Sequence, residues 1–303
     1  MTVTQSHFEN KKLLLFGAGW LGKAVATQAL KMGMKVTTLT RNPETSENLA
    51  KLGVQHTITD QLHENSWHHK IPKDHDFIVN SVSSAGNGLE GYRTSYLQGN
   101  QSILNWIGQD PHPAKFIYTG STSVYSQHDG STVDESSPTP EPSQAGSILL
   151  KAEQLLKENS PFSQTHVLRL GGLYGPNRHY LLNFLRQGAK ELPGRGDLLL
   201  NLLHLEDAAS AIFASLQSQN AGFHLFNVTD GNPFTKTEIV NWLAEQLHLP
   251  TPTFNPDISP ARSPIRQSGG KVPNRNISNA KIRKELDWEP IYQSFKEGYE
   301  ALL

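Results

Sequence analysis

The chain has 303 residues, of which 27 are Lys or Arg and 28 are Asp or Glu, so its formal net charge is −1. This balance argues against binding to nucleic acid or to a membrane surface, because it offers no overall electrostatic attraction to either. The lack of cysteine excludes disulfides, thiolate nucleophiles and cysteine-based metal sites. Residues 1–12 are polar, unlike a secretory signal, and no apolar run reaches the roughly 18 residues of a membrane-spanning helix, so we expect a cytoplasmic protein.

A glycine-rich turn near the start of the chain is the most informative motif. An apolar run, residues 13–16, leads into Gly17, Gly19 and Gly22 in the order G-x-G-x-x-G, and residues 23–32 have a helical pattern. Gly17 permits the tight turn, Gly19 lets the backbone approach a pyrophosphate, and Gly22 lets the helix pack closely on the strand. The N–H groups at the start of such a helix attract an anion. This context predicts a dinucleotide site, with a turn that binds no ligand as the alternative.

The end of the second predicted strand, residues 35–40, bears on which dinucleotide binds. An NAD site usually has Asp or Glu there to hold the ribose hydroxyls. This chain instead has Arg41, followed by Asn42 and Pro43. A guanidinium can pair with the 2′-phosphate of NADP, which a carboxylate would repel. We therefore favour NADP over NAD as the cofactor, with a solvated loop charge as the alternative role for Arg41.

Further along the chain, short apolar runs alternate with helical stretches. The later predicted strands are residues 54–59, 76–82, 114–119 and 223–228, and the helical stretches are residues 48–52, 96–107, 239–247 and 278–286. Thr235 and Glu238 form a capping-box pattern before the third of these helices. Continuous apolar strands separated by helices indicate a parallel sheet that is covered on both faces.

Two long segments have no clear periodicity. Residues 126–146 are rich in Ser, Pro and acidic residues and are predicted to form a loop. Residues 250–275 are rich in proline and carry four cations with no acid between them: Arg262, Arg266, Lys271 and Arg275. Such a segment is either a basic flap over an anionic substrate or a solvated connector, and the sequence favours neither.

Five motifs extend over nearly the whole chain, at residues 17–22, 121–125, 168–176, 201–207 and 284–290. In combination they resemble the extended short-chain dehydrogenase/reductase superfamily, in its NAD-dependent epimerase/dehydratase branch, and more narrowly its YeeZ-like group. The resemblance implies an α/β fold: a Rossmann-type doubly wound parallel sheet with a smaller C-terminal α/β substrate lobe. It implies a dinucleotide-binding domain of residues 1–175, to which residues 201–229 return. Residues 176–200 and 230–303 would then form the substrate-binding lobe.

The resemblance also implies which residues bind the cofactor. They are Gly17, Gly19, Trp20, Leu21, Gly22, Arg41, Asn80, Ser81, Val82, Ser121, Lys151, Gly171 and Gly172. We predict no metal site, because the ligand-type side chains within residues 68–76 are irregularly spaced.

Members of this superfamily that catalyse hydride transfer use a Ser, a Tyr and a Lys, the last two lying four residues apart on one helix. By resemblance Ser121 is the Ser and Lys151 is the Lys, so Ser147 stands where the Tyr is expected. An adjacent ammonium lowers the pKa of a phenol, whereas an aliphatic hydroxyl is far more basic. Losing a positioned proton donor costs about 10²–10⁴ in rate. Ser121, Lys151 and Ser147 form the expected catalytic set, with Tyr174 and His179 as candidate replacement donors.

These observations favour an NADP-binding, epimerase/dehydratase-like oxidoreductase that acts on a small, sugar-like anionic substrate. Arg178 and Arg195 are candidates to bind the anionic group. Ser147 favours an alternative, a non-catalytic NADP-sensing or regulatory binding protein. A β-hydroxyacid-type dehydrogenase is disfavoured, because such proteins lack the pairing of Ser121 with Lys151. We expect a small molecule as the partner rather than nucleic acid or membrane, and a homodimer is compatible with the sequence.

Overall fold

A computed structural model describes residues 5–84, 88–258 and 271–303 of the chain. The strands are β1 (Lys12–Phe16), β2 (Lys35–Thr40), β3 (His56–Thr59), β4 (Phe77–Asn80), β5 (His112–Ser121), β6 (Thr132–Val133), β7 (Phe162–Leu170), β8 (Gly172–Tyr174), β9 (Glu191–Pro193), β10 (Leu199–Leu200), β11 (Leu202–His204), β12 (Gly222–Val228), β13 (Phe234–Thr235), β14 (Thr253–Asn255) and β15 (Asn276–Ile277). The helices are α1 (Gln5–Phe8), α2 (Trp20–Lys31), α3 (Pro43–Lys51), α4 (Gly88–Tyr92), α5 (Gly99–Ile107), α6 (Gln144–Asn159), α7 (Tyr180–Arg186), α8 (Leu205–Gln217), α9 (Lys236–Gln246), α10 (Ala280–Leu286) and α11 (Phe295–Glu300). A π-helical turn, Arg93–Gln98, joins α4 to α5, and a 3₁₀ turn, Thr122–Val124, follows β5.

Seven strands form one parallel sheet in the order β12-β7-β5-β4-β1-β2-β3. The chain moves outward from β1 to β2 and β3, then returns to the other side of β1 with β4. This reversal opens a crevice beyond the carboxyl ends of β1 and β4, which is where ligands bind in open α/β sheets. The predicted Rossmann-type doubly wound sheet is confirmed.

The apolar strands are buried on both sides because helices cover both faces of the sheet. Successive β1 residues alternate: Leu13 and Leu15 join the cluster that contains α2 and α8, whereas Leu14 and Phe16 join the opposite cluster with α5 and α6. All four of these side chains are fully buried. A central strand of a parallel sheet therefore has an unbroken apolar sequence rather than an alternating one.

A smaller second lobe follows the sheet and consists of α7, α9 and α11 with the strand pair β9–β14. Its own core includes Leu182, Leu185, Leu243 and Phe295. The capping box predicted for α9 is confirmed, since Glu238 N–H donates to the Thr235 hydroxyl oxygen at 3.2 Å and Thr235 N–H donates to the Glu238 carboxylate at 2.8 Å.

Part of the chain that was assigned to the second lobe packs on the sheet instead. Ile282 of α10 and the following Trp288 belong to the cluster under β1 and α8. The Trp288 indole N–H donates to the Ser210 hydroxyl of α8 at 2.8 Å. The boundary between the two domains at residue 230 stays a prediction. Residues 282 and 288, which follow this boundary in the sequence, pack with the sheet.

The two segments without periodicity are partly ordered by pairing. β6 lies within the predicted loop 126–146 and pairs in parallel with β15. β14 lies within residues 250–275 and pairs in parallel with β9. Arg262 and Arg266 lie outside the described residues, so the choice between flap and connector stays open. No helix within the described ranges is long and apolar enough to cross a membrane.

Candidate functional site

A cavity of about 910 Å³ lies at the carboxyl ends of the parallel strands, between the sheet and the second lobe. One half of its wall, here called the turn half, follows β1 to β4: residues 17–21, 39–42, 60–63 and 81–84. The other, the lobe half, comprises residues 170–174, 178–181, 198–202, Lys236, Val272, Pro273, Arg275, Ile277 and Tyr299. The end of β5, residues 119–123, lines the wall between the two halves.

The three glycines of the turn have three different environments. Gly17 has a φ of +83°, and a Cβ there would lie 2.6 Å from the Val82 nitrogen. A Cβ on Gly22 would lie 2.1 Å from the Gly17 carbonyl oxygen, so only glycine lets α2 approach the turn this closely. A Cβ on Gly19 would meet nothing within 4 Å, because this residue faces the cavity. Gly22 itself does not line the cavity; it allows the turn to form.

The start of α2 has the properties of an anion site. Its N-cap is Gly19, no side chain of the described chain caps it, and its first turn has no acidic residue. By contrast, α3 is capped by Asn42, whose side-chain oxygen accepts N–H groups of Glu44 and Thr45 at 2.9 and 3.4 Å. The first N–H groups of α2 thus lack a side-chain acceptor beside an open glycine, which suits a pyrophosphate.

Arg41 lies on the turn half, where β2 ends. No described carboxylate lies within ion-pairing distance of its guanidinium. Asp60, the one carboxylate among the described residues of this half, already accepts hydrogen bonds from Lys70 and Ser66, each at 2.8 Å. Partial burial raises the pKa of Asp60, but these hydrogen bonds outweigh it and lower the pKa overall. In the turn half, Arg41 is therefore available to bind an anion, whereas the charge of Asp60 is balanced by Lys70.

The ends of β4 and β5 contribute in two different ways. Ser81 and Val82 line the cavity, as does Ser121. Asn80 is buried behind the wall instead, where its side chain donates to Asn100 Oδ1 at 2.8 Å and accepts the Val82 N–H at 3.2 Å. Asn80 thus holds the turn in place rather than facing the cavity.

The structure does not bring Ser147 and Lys151 to the cavity wall. Ser147 is half-buried, Lys151 is exposed, and neither lines the cavity. The buried face of α6 carries Ala145 and Leu149, which cluster with Val124 just beyond β5. Since two residues turn an α-helix by about 200°, positions 147 and 151 lie on a face different from 145 and 149. Ala145 and Leu149 therefore pack in the interior, and Ser147 and Lys151 lie away from the cavity.

The two candidate proton donors both line the lobe half but differ in chemistry. Tyr174 is buried and stacked on Tyr299 with ring centroids 4.8 Å apart. Burial, together with the nearby Asp230 carboxylate, raises the pKa of Tyr174 far above its ordinary value, so its phenol holds its proton tightly. His179 has a buried Nδ1 with no hydrogen-bond partner among the described residues. His179 is the better candidate.

The two arginines expected near the substrate have different positions. Arg178 lines the cavity, with its guanidinium 5.3 Å from the ring centroid of Trp20, and the Trp20 indole N–H donates to the Pro176 carbonyl at 3.0 Å. Arg195 is exposed, forms an ion pair with Asp197, and does not line the cavity.

The chemistry of the wall as a whole suits anions. Its Arg and Lys side chains are Arg41, Arg178, Lys236 and Arg275, and Asp60 is its one carboxylate among the described residues. The chain as a whole has one more acid than base. Positive charge is thus concentrated in the cavity, although the overall composition shows no excess of it.

Comparison with known proteins agrees with this geometry. The model of the NAD dependent epimerase/dehydratase family matches residues 13–229. The chain belongs to this family. It is 29% identical to Protein YeeZ of Escherichia coli over 287 residues, which cover 93% of this chain and 96% of YeeZ.

Two solved structures share the fold of this family member across nearly its whole length. One is a functionally unknown conserved protein from Silicibacter pomeroyi, with 24% identity, a TM-score of 0.75, and coverage of 97% of this chain and 98% of that one. The other is UDP-glucuronic acid 4-epimerase from Bacillus cereus, in complex with UDP-glucuronic acid and NAD. It has 19% identity, a TM-score of 0.78, and coverage of 96% of this chain and 97% of that one.

The sequence analysis did not single out Lys236 as a cavity residue of this epimerase/dehydratase family member, and it named Arg275 only as part of a basic flap or connector. Lys236 is the first residue of α9, and Arg275 donates to the Thr122 carbonyl oxygen at 2.9 Å. Lys236 had a signal in the sequence: a cation in the first helical turn, next to a capping box, opposes the helix dipole. Arg275 had a signal as well, the run of four cations with no acid between them, which left a flap and a connector as alternatives.

Buried carboxyl groups lie under the lobe half of this family member. Asp230 N–H donates to the Leu202 carbonyl, and the Asp207 carboxylate accepts the Ile291 N–H at 2.5 Å. Burial raises the pKa of Asp207 and of Asp230 to about 7. His204 caps α8 by accepting the Glu206 N–H at 3.3 Å.

Proposed function

We propose that this family member binds NADP in the turn half and a small anionic substrate in the lobe half. The observation that carries the proposal is the open glycine turn and uncapped start of α2 beside Arg41, which has no described counter-ion. The α2 N–H groups would hold the pyrophosphate, and Arg41 would hold the 2′-phosphate. Gly171 and Gly172 would give the cofactor close access to the wall after β7.

We further propose an oxidoreductase or epimerase-like activity. When bound, the nicotinamide donates or accepts a hydride. In the chain, the Ser121 hydroxyl, itself held by the Ser123 N–H at 3.2 Å, would orient the reacting oxygen. His179, which lines the lobe half, would exchange the proton. Ser147 and Lys151, which lie away from the wall, take no part in this proposal.

The alternative is a non-catalytic NADP-sensing or regulatory binding protein. One observation favours it: by resemblance Ser147 stands where the family's phenol is expected, and the Lys151 ammonium does not line the cavity. A site without these groups keeps its contacts to the cofactor through the glycine turn and loses only a proton-transfer group.

Titration of the purified protein with NADPH and with NADH, followed by nucleotide fluorescence, tests the cofactor. We expect NADPH to bind about tenfold or more tightly, since a charge-assisted bidentate pair contributes on the order of 1.4 kcal/mol or more. Equal affinity, or tighter binding of NADH, contradicts the role proposed for Arg41.

Turnover of NADPH with a panel of aldehydes, ketones and nucleotide sugars distinguishes the enzyme from the sensor. For an active substrate, His179→Gln should lower kcat by about 10²-fold and leave the Kd for NADPH unchanged. Tight NADPH binding without turnover of any panel member would support the sensor.

A further inference from the structure

Apolar side chains form much of the lobe half of the cavity wall. Leu173, Leu181, Leu198, Leu200, Leu202 and Tyr299 all line it. Four of these, Leu181, Leu198, Leu202 and Tyr299, are at most 6% exposed, and all but Leu198 belong to the core of the second lobe. A wall of this kind favours a ligand with an apolar surface.

Several polar groups of the lobe half are already engaged within the protein. The Asn201 side chain donates to the Arg275 carbonyl at 2.8 Å and accepts the Ile277 N–H at 2.7 Å. Arg275 donates to the Thr122 carbonyl oxygen, and Arg178 lies over the Trp20 ring. A sugar buried here would have to place several hydroxyls against leucine side chains, and each unpaired hydroxyl costs binding free energy.

Lys236 differs from these groups because no described carboxylate lies within ion-pairing distance of its ammonium. It is half-buried on the cavity wall. Burial lowers the pKa of Lys236; the negative charge of Asp197 opposes this, but Asp197 is itself paired with Arg195. As the first residue of α9, Lys236 also lies at the positive end of the helix dipole. Its charge is therefore poorly stabilised unless a ligand supplies an anion.

We propose that the lobe half binds a carboxylic acid with an apolar body, whose carboxylate pairs with Lys236 and whose apolar part packs against Leu181, Leu198 and Leu202. This inference rests on the proposed function, since it names the class of small anionic substrate that the site takes. It makes a nucleotide sugar a poor ligand, although the compared epimerase binds one.

Isothermal titration calorimetry on the full chain saturated with NADPH tests the proposal. The probes are 3-phenylpropionate, its neutral amide 3-phenylpropanamide, and UDP-glucose. We expect the acid to bind about tenfold or more tightly than the amide, because the charge-assisted pair is lost in the amide. We also expect the acid to bind more tightly than UDP-glucose.

Variants assign the preference to Lys236. In Lys236→Met the acid should bind as weakly as the amide, whose own affinity stays unchanged. Lys236→Arg keeps the positive charge and should keep the preference for the acid. Lys157→Met removes an exposed ammonium from α6, outside the cavity, and should change nothing. Circular dichroism and an unchanged Kd for NADPH show that each variant is folded.

Three results would overturn the proposal: no binding of 3-phenylpropionate at millimolar concentration, tighter binding of UDP-glucose, or an unchanged preference for the acid in Lys236→Met. Titration with NADPH alone tests the proposed function separately. If NADPH does not bind, the same acid and amide are compared on the protein without nucleotide. A preference for the acid that depends on Lys236 then supports the lobe half as a carboxylate site while the cofactor proposal fails.

Discussion

The two halves of the cavity differ in whether mainly backbone or mainly side chains form the wall. The turn half consists largely of backbone: a glycine turn, the N–H groups of α2 and the ends of neighbouring strands, all within residues 17–84. The lobe half consists of side chains brought together from several separate segments, with Lys236 and Tyr299 far apart in sequence. The first arrangement fixes where a dinucleotide binds. The second leaves the choice of substrate to a few side chains, which can change without disturbing the fold.

Of the substitutions that test the difference between the two halves, Gly22→Ala should have the largest effect. Its added Cβ would lie 2.1 Å from the Gly17 carbonyl oxygen, so the turn and α2 must separate. We expect a loss of about 3 kcal/mol or more in the free energy of unfolding and loss of NADPH binding. Urea unfolding and nucleotide fluorescence measure the two effects.

Gly19→Ala is the matched control for this substitution. Because no atom lies within 4 Å of its added Cβ, the free energy of unfolding should stay within about 0.5 kcal/mol of wild type. The methyl group faces the cavity and should still weaken NADPH binding. Equal stability of the two variants would contradict the separate roles assigned to Gly19 and Gly22.

The halves should also respond in opposite directions to pH. The pKa of Asp60 in the turn half is lowered, so its stabilising effect is present above its unfolded-state pKa and is lost on acidification. Burial raises the pKa of Asp230, under the lobe half, to about 7. Its stabilising effect is complete below the unfolded-state pKa of about 3.9 and is lost as pH rises toward 7.

Asp230→Asn tests the second of these effects. Between pH 5 and 8 the titration of Asp230 should lower the wild-type free energy of unfolding by about 2.7 kcal/mol, about 1.4 kcal/mol for each pH unit from 5 to 7. The variant keeps an oxygen to accept the Asn232 N–H and should lose this part of the dependence, whereas Asp207, whose pKa is also raised to about 7, keeps its own. Glu245→Gln, on the exposed surface of α9, should leave the slope as it is. The same slope in Asp230→Asn would show that other groups cause it.

The difference between the halves also explains how far the sequence could predict this protein. β2 was predicted at both ends, and the roles of Gly17, Gly19 and Gly22 follow from local backbone geometry. Ser147 and Lys151 were assigned by resemblance to the family's Tyr and Lys, whose spacing places two residues on one helix face but does not say which face is buried. The burial of Ala145 and Leu149 depends on packing against Val124 and Tyr125, just beyond β5, a contact that no local pattern encodes.

Arg41→Ala should discriminate between the two nucleotides. Removing the guanidinium should weaken NADPH binding about 10- to 30-fold, on the order of 1.4–2 kcal/mol, and leave NADH binding nearly unchanged. The variant should be as stable as wild type, because Arg41 is exposed and the α3 cap is formed by Asn42. Parallel titrations with both nucleotides measure the effect, and an equal loss for both would assign Arg41 to another part of the cofactor.

The smallest expected effect is that of Lys151→Ala. Lys151 is exposed and does not line the cavity, so its removal should change the Kd for NADPH by less than about twofold. Leu149→Ala, two residues away on the buried face, should instead cost about 2–3 kcal/mol of stability, because it leaves a void beside Val124. If Lys151→Ala weakened NADPH binding tenfold while Leu149→Ala had no effect on stability, α6 would have to present its other face to the cofactor. The cavity would then have to extend to a part of α6 that it does not reach in this structure.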